Sequence, residues 1–169
     1  MTLIHYFDIV LPVIQDTIHE NNPKCTSYSP VFLAMFKADM TETMNNCIVI
    51  TDIKVDIMKK VIEFMYTGVL ESTLDFNDLL SVLEVADKYE IMILKELCEE
   101  RLTQRITISN VLMIFERASL YGVPQLMETL ISFMVEKKLE IIASEDFANL
   151  YRRKPELLFE FFIRSIAVK

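Results

Sequence analysis

Nucleophilic catalysis of the Ser/His/Asp kind needs an imidazole base within reach of a hydroxyl or thiol. This chain has two histidines, His5 and His19, both near the N-terminus. They lie in the least helical stretch, and no Gly-x-Ser-x-Gly turn occurs to expose a serine. The three cysteines, Cys25, Cys47 and Cys98, are scattered and form no C-x-x-C pair. A structural zinc site needs Cys or His ligands at close spacing, so none is expected, and the cysteines read as buried reduced thiols. Gly68 and Gly122 are the only glycines, which leaves no glycine-rich loop to cradle a phosphate. The carboxylates Glu84 and Asp87, and Glu99 and Glu100, read as solvated helix faces rather than acid/base pairs. The expectation is a protein that is not an enzyme, with no catalytic residue, no metal and no cofactor.

Charge narrows the partners. Seventeen basic residues stand against 25 acidic ones, a net charge of −8, and the longest basic run is Arg152-Arg153-Lys154. Nucleic acid is held by neutralising phosphates with a basic surface, so no nucleic acid is expected as a direct partner. Apolar residues make up 52% of the chain, which points to other proteins. The apolar stretch 3–18 has no basic n-region, and Asp8, Pro12 and Gln15 interrupt it, so it does not read as a signal peptide. No apolar run reaches the ~18 residues of a membrane span. A soluble protein of the nucleus or cytoplasm is expected.

The elements that would position any site are mostly helices. Few glycines and only five prolines favour long regular elements joined by short connections. Ser29-Pro30 reads as an N-cap followed by proline at the first helical position, with Val31, Phe32, Met35 and Phe36 at helical spacing. Residues 6–11 and the β-branched run 47–51 read as strands. Helices are predicted over 56–66, 77–89 and 91–102, the last lined by Ile93, Leu94, Leu97, Cys98 and Leu102. Thr107 and Ser109 are candidate caps of a fourth helix, which Gly122 stops; Pro124 starts a fifth. A final pair is predicted over 144–152 and 155–166. Of the ten methionines, Met58, Met65, Met113, Met127 and Met134 fall among apolar residues at helical spacing and read as core. Met40 and Met44 lie in a polar segment and read as loop anchors or interface contacts.

The order of these segments resembles a known family. Ser29-Pro30-Val31-Phe32-Leu33-Ala34-Met35-Phe36 is similar to the S-P-V-F-x-A-M-F signature of BTB/POZ domains. Ile48 to Asp52 looks like the V-x-I-x-D strand, and Phe64-Met65-Tyr66-Thr67-Gly68 like the F-x-Y-T-G helix end. Ala86-Asp87-Lys88-Tyr89 resembles the A-D-K-Y of the next helix pair. Residues 107–133 and the stretch from Pro155 to Ala167 resemble the helical extension of the speckle-type POZ proteins. The resemblance implies an α+β fold, mainly α with a small β-sheet. Residues 1–28 would be a divergent or truncated N-terminal part, 29–104 the BTB/POZ core, and 105–169 a helical extension of 3-box or BACK type. Only 28 residues precede Ser29, so the chain is expected to lack the substrate-binding MATH domain common in this subgroup. Residues 21–26 also replace an apolar helix that contributes to the family's dimer interface.

What the resemblance implies about function is adaptor work. Such proteins hold a cullin-3-type scaffold in a ubiquitin ligase through an apolar residue, any residue, then Glu, placed before the V-x-I-x-D strand. Met40-Thr41-Glu42 matches that pattern. Met40 would fill an apolar pocket, and Glu42 would fix the loop or contact the partner. Homo- or hetero-association with other BTB proteins is the further expectation. The alternative reading is a self-associating scaffold or transcription co-regulator that never meets a cullin.

Overall fold

The computed structural model describes residues 28–37, 50 and 52–167. Every regular element among the described residues is a helix. The α+β expectation is therefore corrected: the described residues contain no strand and no sheet, and the class seen is helical. Residues 6–11 lie outside the described residues, as does 47–51 apart from Ile50, which belongs to no regular element. A short β-branched run forms a strand only beside a partner strand, and no described segment supplies one.

In chain order the helices are α1 (Pro30–Lys37), α2 (Val55–Thr67), α3 (Phe76–Lys88), α4 (Met92–Thr103), α5 (Val111–Leu120), α6 (Pro124–Glu136), α7 (Lys138–Ile142), α8 (Glu145–Arg153) and α9 (Phe159–Ala167), with a 3-10 turn at Pro155–Leu158. The chain divides into two compact units, Met1–Glu96 and Leu97–Lys169.

In the first unit α2 packs against α3. Ile57, Val61, Phe64 and Met65 of α2, and Leu79, Leu83 and Ala86 of α3, are buried. Those positions recur at three and four residues, so each helix turns one apolar stripe inward. Burying each Leu, Ile or Phe contributes roughly 1.5–3 kcal/mol, which outweighs the modest helix propensity of the β-branched residues. Asp75 caps α3, its carboxylate accepting the Asp78 N–H at 2.7 Å. At the other end of α2 the Gly68 N–H donates to the Phe64 carbonyl at 2.7 Å, with Gly68 at φ 70°. That left-handed turn is open to glycine at no steric cost. The end of α3 makes the same kind of turn with a different residue. Glu90 takes φ 53°, and the Ile91 N–H reaches back to the Ala86 carbonyl at 2.8 Å. Ile91 is buried beyond it, so packing holds a non-glycine residue in a strained backbone state.

In the second unit α5 packs against α6, and α6 against α9. Phe115, Leu126, Leu130, Met134 and Phe161 are fully buried. The N-terminus of α6 has no side-chain cap of its own, and Pro124 occupies its first turn. A carboxylate from α4 takes that role: Glu99 Oε1 accepts the Leu126 N–H at 2.7 Å. Phe147 of α8 meets the Phe161 ring edge-on at 5.8 Å, a favoured aromatic arrangement. Glu116 of α5 joins Arg153 and Lys154 at the end of α8, with Lys154 at 2.9 Å.

Three local expectations change. Ile93 is 57% exposed rather than lining the core, and Met113 is 47% exposed. Asn110, not Thr107 or Ser109, stands at the start of α5; the two hydroxyls bond each other at 3.0 Å.

Candidate protein-interaction site

The residues that carried the family resemblance are joints of the first unit. Ser29 Oγ accepts the Phe32 N–H at 3.1 Å, which caps α1, and donates to the Tyr89 carbonyl at 2.5 Å. One small hydroxyl thus starts one helix and ties it to the end of another, while buried and fully satisfied. Phe32 lies flat on Tyr89 with ring centroids 4.5 Å apart and planes 15° from parallel. Both side chains are buried, and burial pushes the Tyr89 phenol above its ordinary pKa.

The two residues before Tyr89 make further ties. Lys88 pairs with Asp52, the point at which the chain re-enters the described fold after α1. The Lys88 hydrogen bond holds the Asp52 carboxyl below its usual range, and Asp52 in turn raises the lysine. The same ammonium lies 5.4 Å from the centre of the Tyr89 ring. Asp87 pairs with Lys95 of α4 at 2.6 Å. Asp87, Lys88 and Tyr89 therefore each bind a different piece of chain: α4, the re-entry point Asp52, and the start of α1. The consequence is geometric. The described residues on either side of positions 38–51, the helix α1 and Asp52, are tied to the neighbouring residues Tyr89 and Lys88.

Met40 and Glu42, the expected docking residues, belong to that segment and lie outside the described residues. So do His5, His19, Cys25 and Cys47. Cys98 is fully buried, and burial pushes its thiol up to about 12, which leaves essentially no thiolate near neutral pH. Among the described residues no group of three or more His, Cys, Asp or Glu side chains could hold a metal ion. No described helix is long and apolar enough to cross a membrane. Of the four carboxylates considered as acid/base candidates, Glu84 and Glu100 are exposed. Asp87 and Glu99 serve the ion pair and the helix cap described above.

The structure adds one surface that the sequence did not signal. A groove of about 460 Å³ runs between α5 and α8 in the second unit, lined by Leu112, Met113, Leu150, Glu116, Arg152 and Arg153 among others. Its only sequence trace is a methionine on a helix stripe beside a basic run, a pattern indistinguishable from core plus solvated surface.

Comparison with known proteins gives the family. The family model for the BTB/POZ domain matches residues 3–106, more than half of the chain. BTB and MATH domain-containing protein 42 of Caenorhabditis elegans is 35% identical over 133 residues, covering 78% of this chain and 32% of that protein. BTB and MATH domain-containing protein 40 of the same organism is 29% identical over 84% of this chain and 36% of its own length. TD and POZ domain-containing protein 3 of Mus musculus is 30% identical over 79% of this chain and 37% of its length. The chain thus spans about a third of the length of each of these relatives. The BTB/POZ domain is a protein-interaction domain, generally without catalytic activity. With its signature residues serving as the joints of the first unit, and a matching domain model over residues 3–106, the chain belongs to the BTB/POZ domain family.

Proposed function

We propose that this protein is an adaptor that docks on a cullin-3-type scaffold and so takes part in ubiquitin-ligase assembly and the control of proteasomal degradation. Met40 and Glu42 are the docking residues: Met40 enters an apolar pocket of the scaffold, and Glu42 makes the polar contact or fixes the loop. The observation that supports this reading is the anchoring of both approaches to segment 38–51 on the neighbouring residues Lys88 and Tyr89. Fixing the chain on both sides of a contact segment lowers the conformational entropy that binding must remove, which favours its use as a contact. The adaptor works in the nucleus or cytoplasm, where such scaffolds act, and pairs with other BTB chains.

Calorimetric titration of the purified chain with a cullin-3 N-terminal domain tests the reading. Micromolar or tighter binding, about 8 kcal/mol or more, that Met40→Asp abolishes would support it. A folded chain that binds no cullin would refute it and leave the self-associating scaffold or transcription co-regulator, for which light scattering of the same sample would report dimers or larger species.

A further inference from the structure

We infer that the groove between α5 and α8 docks a short peptide segment of a partner protein, one that carries an apolar side chain and, toward the C-terminal end of α8, a carboxylate. The site lies wholly within the second unit and stands apart from the cullin reading. Its apolar part comes from both walls. Leu112 of α5 and Leu150 of α8 are buried, while Ile108 and Met113 keep 39% and 47% of their surface exposed along the rim. The cavity of about 460 Å³ is large enough for one or two side chains. Methionine is unbranched and polarisable, so Met113 can adapt to whichever apolar side chain is set against it.

Charge decides what completes the contact. Glu116 is met by two cations: Arg153 grips it with two nitrogens at 3.2 and 3.3 Å, and Lys154 reaches it at 2.9 Å. Arg152, exposed on the same rim, bonds the Asn149 side-chain oxygen at 3.2 Å and meets no carboxylate among the described residues. Three cations thus share one carboxylate at this end, in a chain whose net charge is −8. Asn149 holds one side of the Arg152 fork and leaves its other N–H donors for a planar acceptor, which a carboxylate supplies in matching geometry. Asp146 lines the opposite end, in the first turn of α8, and makes no ion pair. It repels a second acid there and so sets the direction of the segment. From position 146 to 152 the helix rises about 9 Å, the span of about three extended residues at roughly 3.3 Å each. The occupant is therefore an apolar residue with Asp or Glu two or three positions away, seated with the acid on Arg152.

The test displays random heptapeptides on phage and selects them on the purified full chain, with Arg152→Glu selected in parallel. Enriched sequences should pair Leu, Ile, Met or Phe with Asp or Glu at that spacing. Affinity of a synthetic enriched peptide, read by fluorescence polarisation, should fall at least about tenfold in Arg152→Glu and about fivefold in Met113→Asp. Replacing the acid of the peptide by Lys should restore binding to Arg152→Glu. Both positions are exposed, so urea midpoints should stay near wild type. Lys59→Glu makes the same charge change on an exposed position of α2 in the first unit and should leave affinity unchanged. No enriched peptide, enriched peptides without an acid, or equal loss in Lys59→Glu would overturn the inference. Self-association of the wild-type chain that Arg152→Glu abolishes would give the groove to a second copy and overturn it as well.

Discussion

Phe32→Ala separates a structural signature residue from a contact residue. Phe32 is 0% exposed and stacked on Tyr89 at 4.5 Å. Losing a fully buried phenylalanine costs about 3–5 kcal/mol, combining the lost transfer free energy with the cavity left behind. The ring pair itself accounts for roughly 0.5–1.5 kcal/mol of that. Domains of this kind are stable by about 5–15 kcal/mol, so the variant should lose a large part of its margin. Urea unfolding followed by far-UV circular dichroism would show this as a lower midpoint at unchanged slope. Phe159→Ala is the control: that ring is 66% exposed, and truncation should cost less than about 0.5 kcal/mol. A double-mutant cycle with Tyr89→Leu should return a coupling near 1 kcal/mol. A Phe32→Ala loss below about 1 kcal/mol, or one no larger than that of Phe159→Ala, would refute the joint and return Phe32 to the surface.

Glu99→Ala should destabilise the chain by about 1–2 kcal/mol, because it removes the acceptor that caps the first turn of α6, whereas Glu99→Gln keeps an acceptor and should lose less; thermal unfolding of the pair checks the difference. Cys98, fully buried with its thiol pushed up to about 12, should resist iodoacetamide at pH 8 in the folded chain and react only in denaturant, as site-resolved mass spectrometry would show. Glu116 is held below its ordinary value of 4.5, chiefly by its bond to Lys154 and then by that to Arg153. Its folded pKa is depressed, so its contribution is complete above the unfolded value and disappears as pH falls through the lower folded one. Glu116→Gln should therefore be less stable than wild type at pH 7 and converge with it as pH falls well below the ordinary value of 4.5, as urea midpoints across that range would show.

Much of the helical frame was legible in the residues. Ser29-Pro30 marked the start of α1, Gly68 the end of α2, and Gly122-x-Pro124 the joint between α5 and α6, all borne out within a residue. These signals are local: a cap or a left-handed turn depends on residues within one helical turn. Periodicity failed where it was asked to predict neighbours. Ile93 and Met113 sit at core-like spacing yet are exposed, since a stripe becomes core only where another element covers it. Thr107 and Ser109 carried good capping chemistry, but their hydroxyls found each other instead. The short helix α7 carried no capping signal and was not anticipated; no side chain caps its start.

By itself, then, the sequence determined most of the described helices, many of their ends, and the ordered motifs by which the family is recognised, while its expected sheet was not seen among the described residues. It also held the Met40-x-Glu42 pattern, whose residues lie outside the described part. Tertiary structure alone decided what the motif residues do. That Ser29 bonds Tyr89, that Lys88 meets Asp52, and that Glu99 caps a helix starting at Pro124 are pairings across 60, 36 and 27 residues. Nothing in a one-dimensional pattern encodes such distances. They arise when buried stripes pack: Ser29 and the Leu126 N–H, taken out of full solvent, must then find partners or cost the desolvation of an unmet hydrogen bond, whereas the exposed Lys88 and Asp52 are brought within reach by the same packing.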